Sequence, residues 1–159
     1  MEALRAARTS AAACEPEIFG DPAPMRLRGR SAFVTSLQGD LEQASEKMRA
    51  VLDEDPDYAW GWLQLVEWAD RMGLNEEYLE AAENLLRTSP NHPAAYAYRG
   101  DAFLRLERRK EARKDFQRAV QIAPNYFFAL RSLLDLDIED GAFEEAHRLW
   151  SACGGHNRA

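Results

Sequence analysis

Four prolines of this 159-residue chain, Pro22, Pro56, Pro90 and Pro124, stand 34 residues apart. The same interval carries Gly39, Gly73 and Gly141, with Glu107 in the slot between the last two. Ala44, Ala112 and Ala146 share it, with Tyr78 in the remaining slot. So do Trp62, Tyr96 and Leu130, and likewise Met48, Ala82, Phe116 and Trp150. One pair of matched prolines is coincidence; five series at one interval mean that the chain repeats a unit. A unit of this size cannot bury an apolar face alone, so it must be stacked on its neighbours.

The content of the period says what the unit is. From Pro93, Tyr96, Phe103 and Leu106 recur at helical spacing, and Gly100 leaves room for a second helix to come close. After a polar turn, Ala112, Phe116, Ala119 and Val120 draw a second apolar stripe. Pro124 ends it, since proline donates no backbone hydrogen bond and pushes the preceding residue out of helical geometry. Asp57, Asn91 and Asn125 follow the prolines, where a capping acceptor for the next helix is expected. Each period is therefore a helix–turn–helix pair, with helices of about 12–14 residues, roughly 20 Å long. The expected fold class is all-α.

The segment from Pro93 to Pro124 (PAAYAYRGDAFLRLERRKEARKDFQRAVQIAP) closely resembles a tetratricopeptide repeat. The resemblance lies in Tyr96, Gly100 and Phe103, then Ala112, Phe116, Ala119 and the closing Pro124. Residues 59–92 match through Trp62, Leu65, Gly73, Leu85 and Pro90, with Tyr78 and Ala82 exchanging the usual small-then-aromatic order. Residues 127–153 match through Leu130, Leu133, Gly141, Phe143, Ala146 and Trp150. The stretch 25–58 is degenerate. Its second helix carries Leu41, Ala44, Met48, Val51 and Leu52, but its first has Arg28, Ser31 and Thr35 at packing positions, leaving Phe33, Val34 and Leu37 to serve. The resemblance implies an α-solenoid of antiparallel helix pairs with repeats at 25–58, 59–92, 93–126 and 127–153, an N-terminal helix and linker at 1–24, and a tail at 154–159.

Composition narrows the setting. A hydrophobic share of 46% is too high for a disordered polymer, and no apolar run is long enough to span a bilayer. A net charge of -7 argues against general affinity for nucleic acid or anionic membrane. Met1–Cys14 lacks the uninterrupted apolar region of a secretory signal, because Arg5 and Arg8 break it. Pro16, Gly20, Pro22 and Pro24 then interrupt any helix. Cys14 and Cys153 are too few for a disulfide framework, so a reducing, cytoplasmic setting is expected.

No motif for catalysis, cofactor or metal stands out. Phosphate-binding glycine loops, HExxH, CxxC and nucleophile elbows are missing. Glu144 and His147 have the spacing of a di-iron ligand pair without a second copy, and His92 and His156 stand apart. Asp135–Gly141 (DLDIEDG) superficially suggests a calcium loop, but the sixth and twelfth slots hold Asp140 and Ala146 where glycine and glutamate are needed. Arg105, Arg108, Arg109, Lys110, Arg113 and Lys114 cluster at one turn, interleaved with Glu107 and Glu111 and without aromatic platforms for bases. The chain is expected to be no enzyme and to need no cofactor or metal.

The resemblance also implies where a partner would bind: a concave groove lined by the first helices of successive repeats. Mapped onto this chain, it takes Trp60, Leu63, Glu67, Asp70 and Arg71, then Ala94, Ala97, Tyr98, Asp101, Leu104 and Arg105, then Phe128, Arg131, Asp135, Ile138 and Glu139. Glu67, Asp101 and Asp135 repeat at the 34-residue interval as an acidic ladder, with Arg71, Arg105 and Arg131 each four residues away to pair with them, and Trp60, Tyr98 and Phe128 are candidate hot spots. The carboxylate clamp for acidic chaperone tails is not expected, because its positions hold Leu63, Glu67, Tyr98, Phe128 and Ser132. The expected function is a protein–protein interaction scaffold for a basic, amphipathic peptide or protein segment; a regulatory or targeting domain of a larger enzyme is the alternative. Trp150 and Cys153 in the last helix suggest an uncapped end through which copies could self-associate.

Overall fold

The computed structural model describes residues 25–152. Among them are eight α-helices and no strand: α1 Met25–Leu37, α2 Leu41–Glu54, α3 Ala59–Met72, α4 Asn75–Thr88, α5 Pro93–Arg105, α6 Arg109–Ile122, α7 Phe127–Glu139 and α8 Phe143–Ala152. The expected N-terminal helix and linker at 1–24, the tail, Cys14, Cys153 and His156 lie outside the described residues, as does the side chain of Trp150. Two compact units divide between Gly73 and Leu74.

The proline series marks one recurring turn. The amide of Tyr58 donates to the Asp55 carbonyl at 3.2 Å, that of His92 to Ser89 at 3.1 Å and that of Tyr126 to Ala123 at 2.9 Å. Pro56, Pro90 and Pro124 are thus the second residues of four-residue turns, where the fixed φ of proline is favoured. This corrects the capping expected of Asp57, Asn91 and Asn125. They are the third residues of those turns, and the residues that start the helices are Tyr58, His92 and Tyr126. Of the three, only His92 caps with its side chain, Nδ1 accepting the Ala94 amide at 3.3 Å.

The glycine series marks the other turn, between the two helices of a pair. Gly39, Gly73 and Gly141 have φ of 93°, 71° and 73°, and Glu107, in the slot between Gly73 and Gly141, has φ of 60°. At α5 the Arg108 amide reaches back to the Phe103 carbonyl at 2.8 Å and the Glu107 amide to Leu104 at 3.0 Å. At α7, Ala142 bonds Asp137 at 2.7 Å and Gly141 bonds Ile138 at 3.1 Å in the same pattern. Both ends are Schellman closures, which need a left-handed residue at this position.

In the first unit α1 and α2 are antiparallel. Arg28 Nη1 donates to Glu54 Oε1 at 2.7 Å and, further along, Lys47 Nζ donates to Thr35 Oγ1 at 3.1 Å. The buried face of α1 is Gly29, Ala32, Thr35 and Ser36. These small side chains let α2 approach, and the two hydroxyls donate to the Ser31 and Phe33 carbonyls of their own helix. The core role expected of Leu37 is therefore corrected: it is 67% exposed, while Phe33 and Val34 are half-buried. Gly61 of α3 admits α2, since a β-carbon there would lie 3.0 Å from Leu52 Cδ2 and 3.1 Å from Met48 Sδ.

In the second unit, Ala97 and Phe103 of α5, Ala112, Phe116 and Ala119 of α6, and Ala129, Leu133 and Leu136 of α7 form one buried cluster. A β-carbon on Gly100 would meet the Phe116 ring at 3.0 Å, which is why that slot is empty and its partner an aromatic. Alongside, Arg99 grips the buried Asp115 through two bonds of 2.7 and 2.8 Å. That bond to Asp115 is the leading reason the Arg99 guanidinium is held above its ordinary pKa. Tyr78 and Ala82 of α4 are both buried, so the exchanged large and small residues each reach the interior. No helix of the described residues is long and apolar enough to cross a membrane.

Candidate functional site

On α3 the candidate residues occupy one edge of the helix, since Trp60, Leu63, Glu67, Asp70 and Arg71 recur at three- and four-residue steps. Glu67, Asp70 and Arg71 are exposed, while Leu63 and Trp60 are half-buried. Trp60 does not stand alone. Its ring centroid lies 5.8 Å from Phe33 and 5.7 Å from Tyr58, both tilted, and the Arg30 guanidinium carbon sits 5.0 Å from the Trp60 centroid. Arg30, Phe33 and Tyr58 are thus members of the first unit's aromatic face that the groove mapping left out. Tyr58 carried a signal, for it shares a 34-residue slot with His92 and Tyr126. Arg30 and Phe33 carried none, because α1 has no apolar stripe to orient it.

On the second unit, α5 offers Tyr98, half-buried, and Asp101, which accepts from Arg105 Nε at 2.9 Å. Arg105 also stacks over the Tyr78 ring, 4.5 Å from its centroid. Ala94 and Leu104 are half-buried. Ala97 is not a surface residue: it is fully buried in the core cluster, because α5 is packed between α4 and α6 and keeps only a narrow exposed strip. On α7, Phe128 sets an edge against the buried Phe116 ring, 6.2 Å between centroids, and stays 40% exposed. Arg131 lies 3.6 Å from Asp135, both open to solvent, and Ile138 is 49% exposed.

Glu139 is drawn elsewhere. Arg109 Nη1 donates to Glu139 Oε2 at 2.6 Å and Nη2 to Asp140 Oδ1 at 2.9 Å. Arg113 bonds the buried Asp137 and reaches Asp140 Oδ2 at 2.7 Å. Those two arginines hold the Asp140 carboxyl below the usual aspartate range, Arg113 contributing most. The acidic DLDIEDG stretch is thus the end of α7 and its turn, tied to α6 by ion pairs. The basic cluster is largely consumed in the same way. Arg108 pairs with Glu111 at 3.1 Å and lies over Phe103, and Arg105, Arg109 and Arg113 are engaged as above. His147 and Glu144 are exposed, and no group of three metal-ligating side chains occurs among the described residues.

Against known proteins, residues 93–126 match the tetratricopeptide repeat family. The chain carries a tetratricopeptide repeat. No curated protein matches it in sequence. Among solved structures it is similar to a tetratricopeptide repeat protein from Parabacteroides merdae ATCC 43184, at 20% identity and a TM-score of 0.80 over 94% of this chain and 59% of that one. MamA from Desulfovibrio magneticus RS-1 is similar at 16% identity and a TM-score of 0.76, over 97% of this chain and 83% of that one. The first tetratricopeptide domain of Spaghetti (RPAP3), bound to the HSP90 peptide SRMEEVD, matches at 20% identity and a TM-score of 0.67, over 78% of this chain and 98% of that one. At such identities the likeness is one of fold: all-α, an α-solenoid of antiparallel helix pairs.

Proposed function

We propose that the chain is a non-enzymatic protein-interaction module, built of repeats at 25–58, 59–92, 93–126 and 127–153. It would take up apolar, basic segments of a partner protein on the exposed edge of α3 in the first unit and on those of α5 and α7 in the second. The observation that carries this reading is Phe128, an aromatic 40% exposed yet fixed by an edge contact with the core ring Phe116. A pre-oriented aromatic loses little freedom when it is covered, which is what makes a binding hot spot. Each such ring shares its helix with a carboxylate: Trp60 with Glu67 on α3, Tyr98 with Asp101 on α5, and Phe128 with Asp135 on α7.

Mechanistically, the Arg131–Asp135 pair is solvent-exposed at 69% and 57%, so it contributes at most about 1 kcal/mol and is readily exchanged for a partner's lysine or arginine. The carboxylates steer the encounter, and the buried aromatic area holds the complex. The Spaghetti domain with its bound peptide supports capture of a peptide segment by this fold. Its peptide carries Glu-Glu-Val-Asp, whereas the faces here present Glu67, Asp101 and Asp135, so the proposed partner has the opposite charge.

The test is the affinity of basic amphipathic peptides for wild type and for the double variant Glu67→Lys/Asp101→Lys. Affinity should fall at least tenfold in the variant, since two charge contacts of roughly 1 kcal/mol each are reversed. Equal affinity would refute the reading. Self-association is proposed at the C-terminal end, supported by Phe127 and Phe143, which are 73% and 66% exposed. Light scattering should then show a mass that grows with concentration, and a strict monomer at high concentration counts against it.

A further inference from the structure

We propose that the Trp60 ring is a receptor for a guanidinium group of the basic partner segment, and that Arg30 is an internal occupant which the partner's arginine displaces. This rests on the interaction reading above and names the chemistry of one contact within it. Three half-buried aromatic side chains converge here, Phe33 from α1 and Tyr58 and Trp60 at the start of α3, with tilted rings less than 6 Å apart. Gly29 makes room for them, since a β-carbon there would stand 3.1 Å from Tyr58 Cε1 and 3.7 Å from Trp60 Cζ3.

The occupant already present identifies the ligand. Arg30 is an exposed residue whose guanidinium carbon lies 5.0 Å from the Trp60 centroid, within the range of a cation–π contact. A ring that holds one guanidinium face-on offers the same face to another. The internal contact is weak, because the Arg30 side chain stays in water, and a weak occupant lowers apparent affinity by the fraction of time it covers the site. The exposed Glu67 lies two turns further along α3, about 10 Å away, and would receive a second basic residue of the same segment.

The experiment uses a single amino acid as probe, so that it reports on the ring and not on the whole groove. N-acetyl-arginine amide is titrated into the full chain while the Trp60 indole N–H is followed by two-dimensional NMR, its peak assigned by its disappearance in Trp60→Phe. In Arg30→Ala the peak should move saturably with a midpoint about two- to fivefold lower than in wild type, the factor by which the internal contact competes. Arg26→Ala, which removes an exposed charge from the same helix, should leave the midpoint unchanged. N-acetyl-citrulline amide, neutral and isosteric, should leave the peak in place. A peak that does not saturate in Arg30→Ala, equal midpoints in wild type and Arg30→Ala, an equal gain in Arg26→Ala, or an equal response to citrulline each overturns the proposal. A positive result here with unaltered peptide binding in Glu67→Lys/Asp101→Lys would remove the groove and leave the receptor, so the two failures are distinct.

Discussion

Replacing Glu107 by glycine should stabilise the protein. Glu107 is the one described non-glycine residue in the left-handed region, at φ 60°, and its 34-residue counterparts Gly39, Gly73 and Gly141 do the same work without a side chain. For an ordinary residue that conformation costs about 1–2 kcal/mol. The gain on substitution is smaller, because glycine adds about 0.4–1 kcal/mol of freedom to the unfolded chain. The net expectation for Glu107→Gly is about 0.5–1 kcal/mol, or roughly 1–4 °C in Tm for a chain of this size. The Schellman bonds of Arg108 to Phe103 and Glu107 to Leu104 should survive, since they involve backbone alone. Glu107→Asn should fall between, as asparagine tolerates this region better than glutamate. The complementary change, Gly141→Ala, isolates the same quantity. A β-carbon there meets nothing within 4 Å, so any loss reflects backbone conformation and not crowding, and about 1 kcal/mol is expected. Urea denaturation at constant m is the assay. If Glu107→Gly is no more stable than wild type while Gly141→Ala loses nothing, the left-handed slot is not what the glycine series encodes.

Gly100→Ala should destabilise by about 1–3 kcal/mol in the same assay, because its β-carbon would press the fully buried Phe116 ring at 3.0 Å. Arg99→Leu should cost about 2–3 kcal/mol by leaving the Asp115 carboxylate buried without its bidentate partner, whereas Arg131→Leu, from an exposed pair, should fall within about 1 kcal/mol of wild type. Asp140 sits below its ordinary range in the folded state through Arg113 and Arg109. The stability it adds is therefore present above the unfolded aspartate value and lost as pH falls through the folded one. Asp140→Asn should accordingly flatten the acid limb of a denaturation midpoint plotted from about pH 5 to about pH 2.

The repeat was legible because each of its signals acts within one period. Pro56, Pro90 and Pro124 set a turn, the Gly39 series sets a left-handed helix end, and the Gly100–Phe116 pair sets how closely two helices meet. The helix-starting role was misplaced by one residue, onto Asp57, Asn91 and Asn125. The residue type favoured for capping was present, but the proline turn had already claimed it, and Tyr58, His92 and Tyr126 follow the turn instead. Leu37 and Ala97 show the opposite limit. An apolar leucine was expected inside and is exposed, and an alanine expected on the surface is fully buried. Neither residue type is decisive, and the outcome depends on which neighbouring helix arrives.

The candidate face divides along the same line. Glu67, Asp101 and Asp135 repeat at one interval, and the exposure of Phe128 follows from its place on α7. The pull of Arg109 on Glu139 and the meeting of Arg30 and Phe33 with Trp60 join residues about 30 apart on different helices. The sequence by itself determined the unit, its two turns and the helical edges on which charges and rings recur, because backbone geometry and side-chain spacing are local. Tertiary structure alone decided which arginine faces which carboxylate or ring. Long charged side chains can satisfy many partners, and only the register of packed helices selects one.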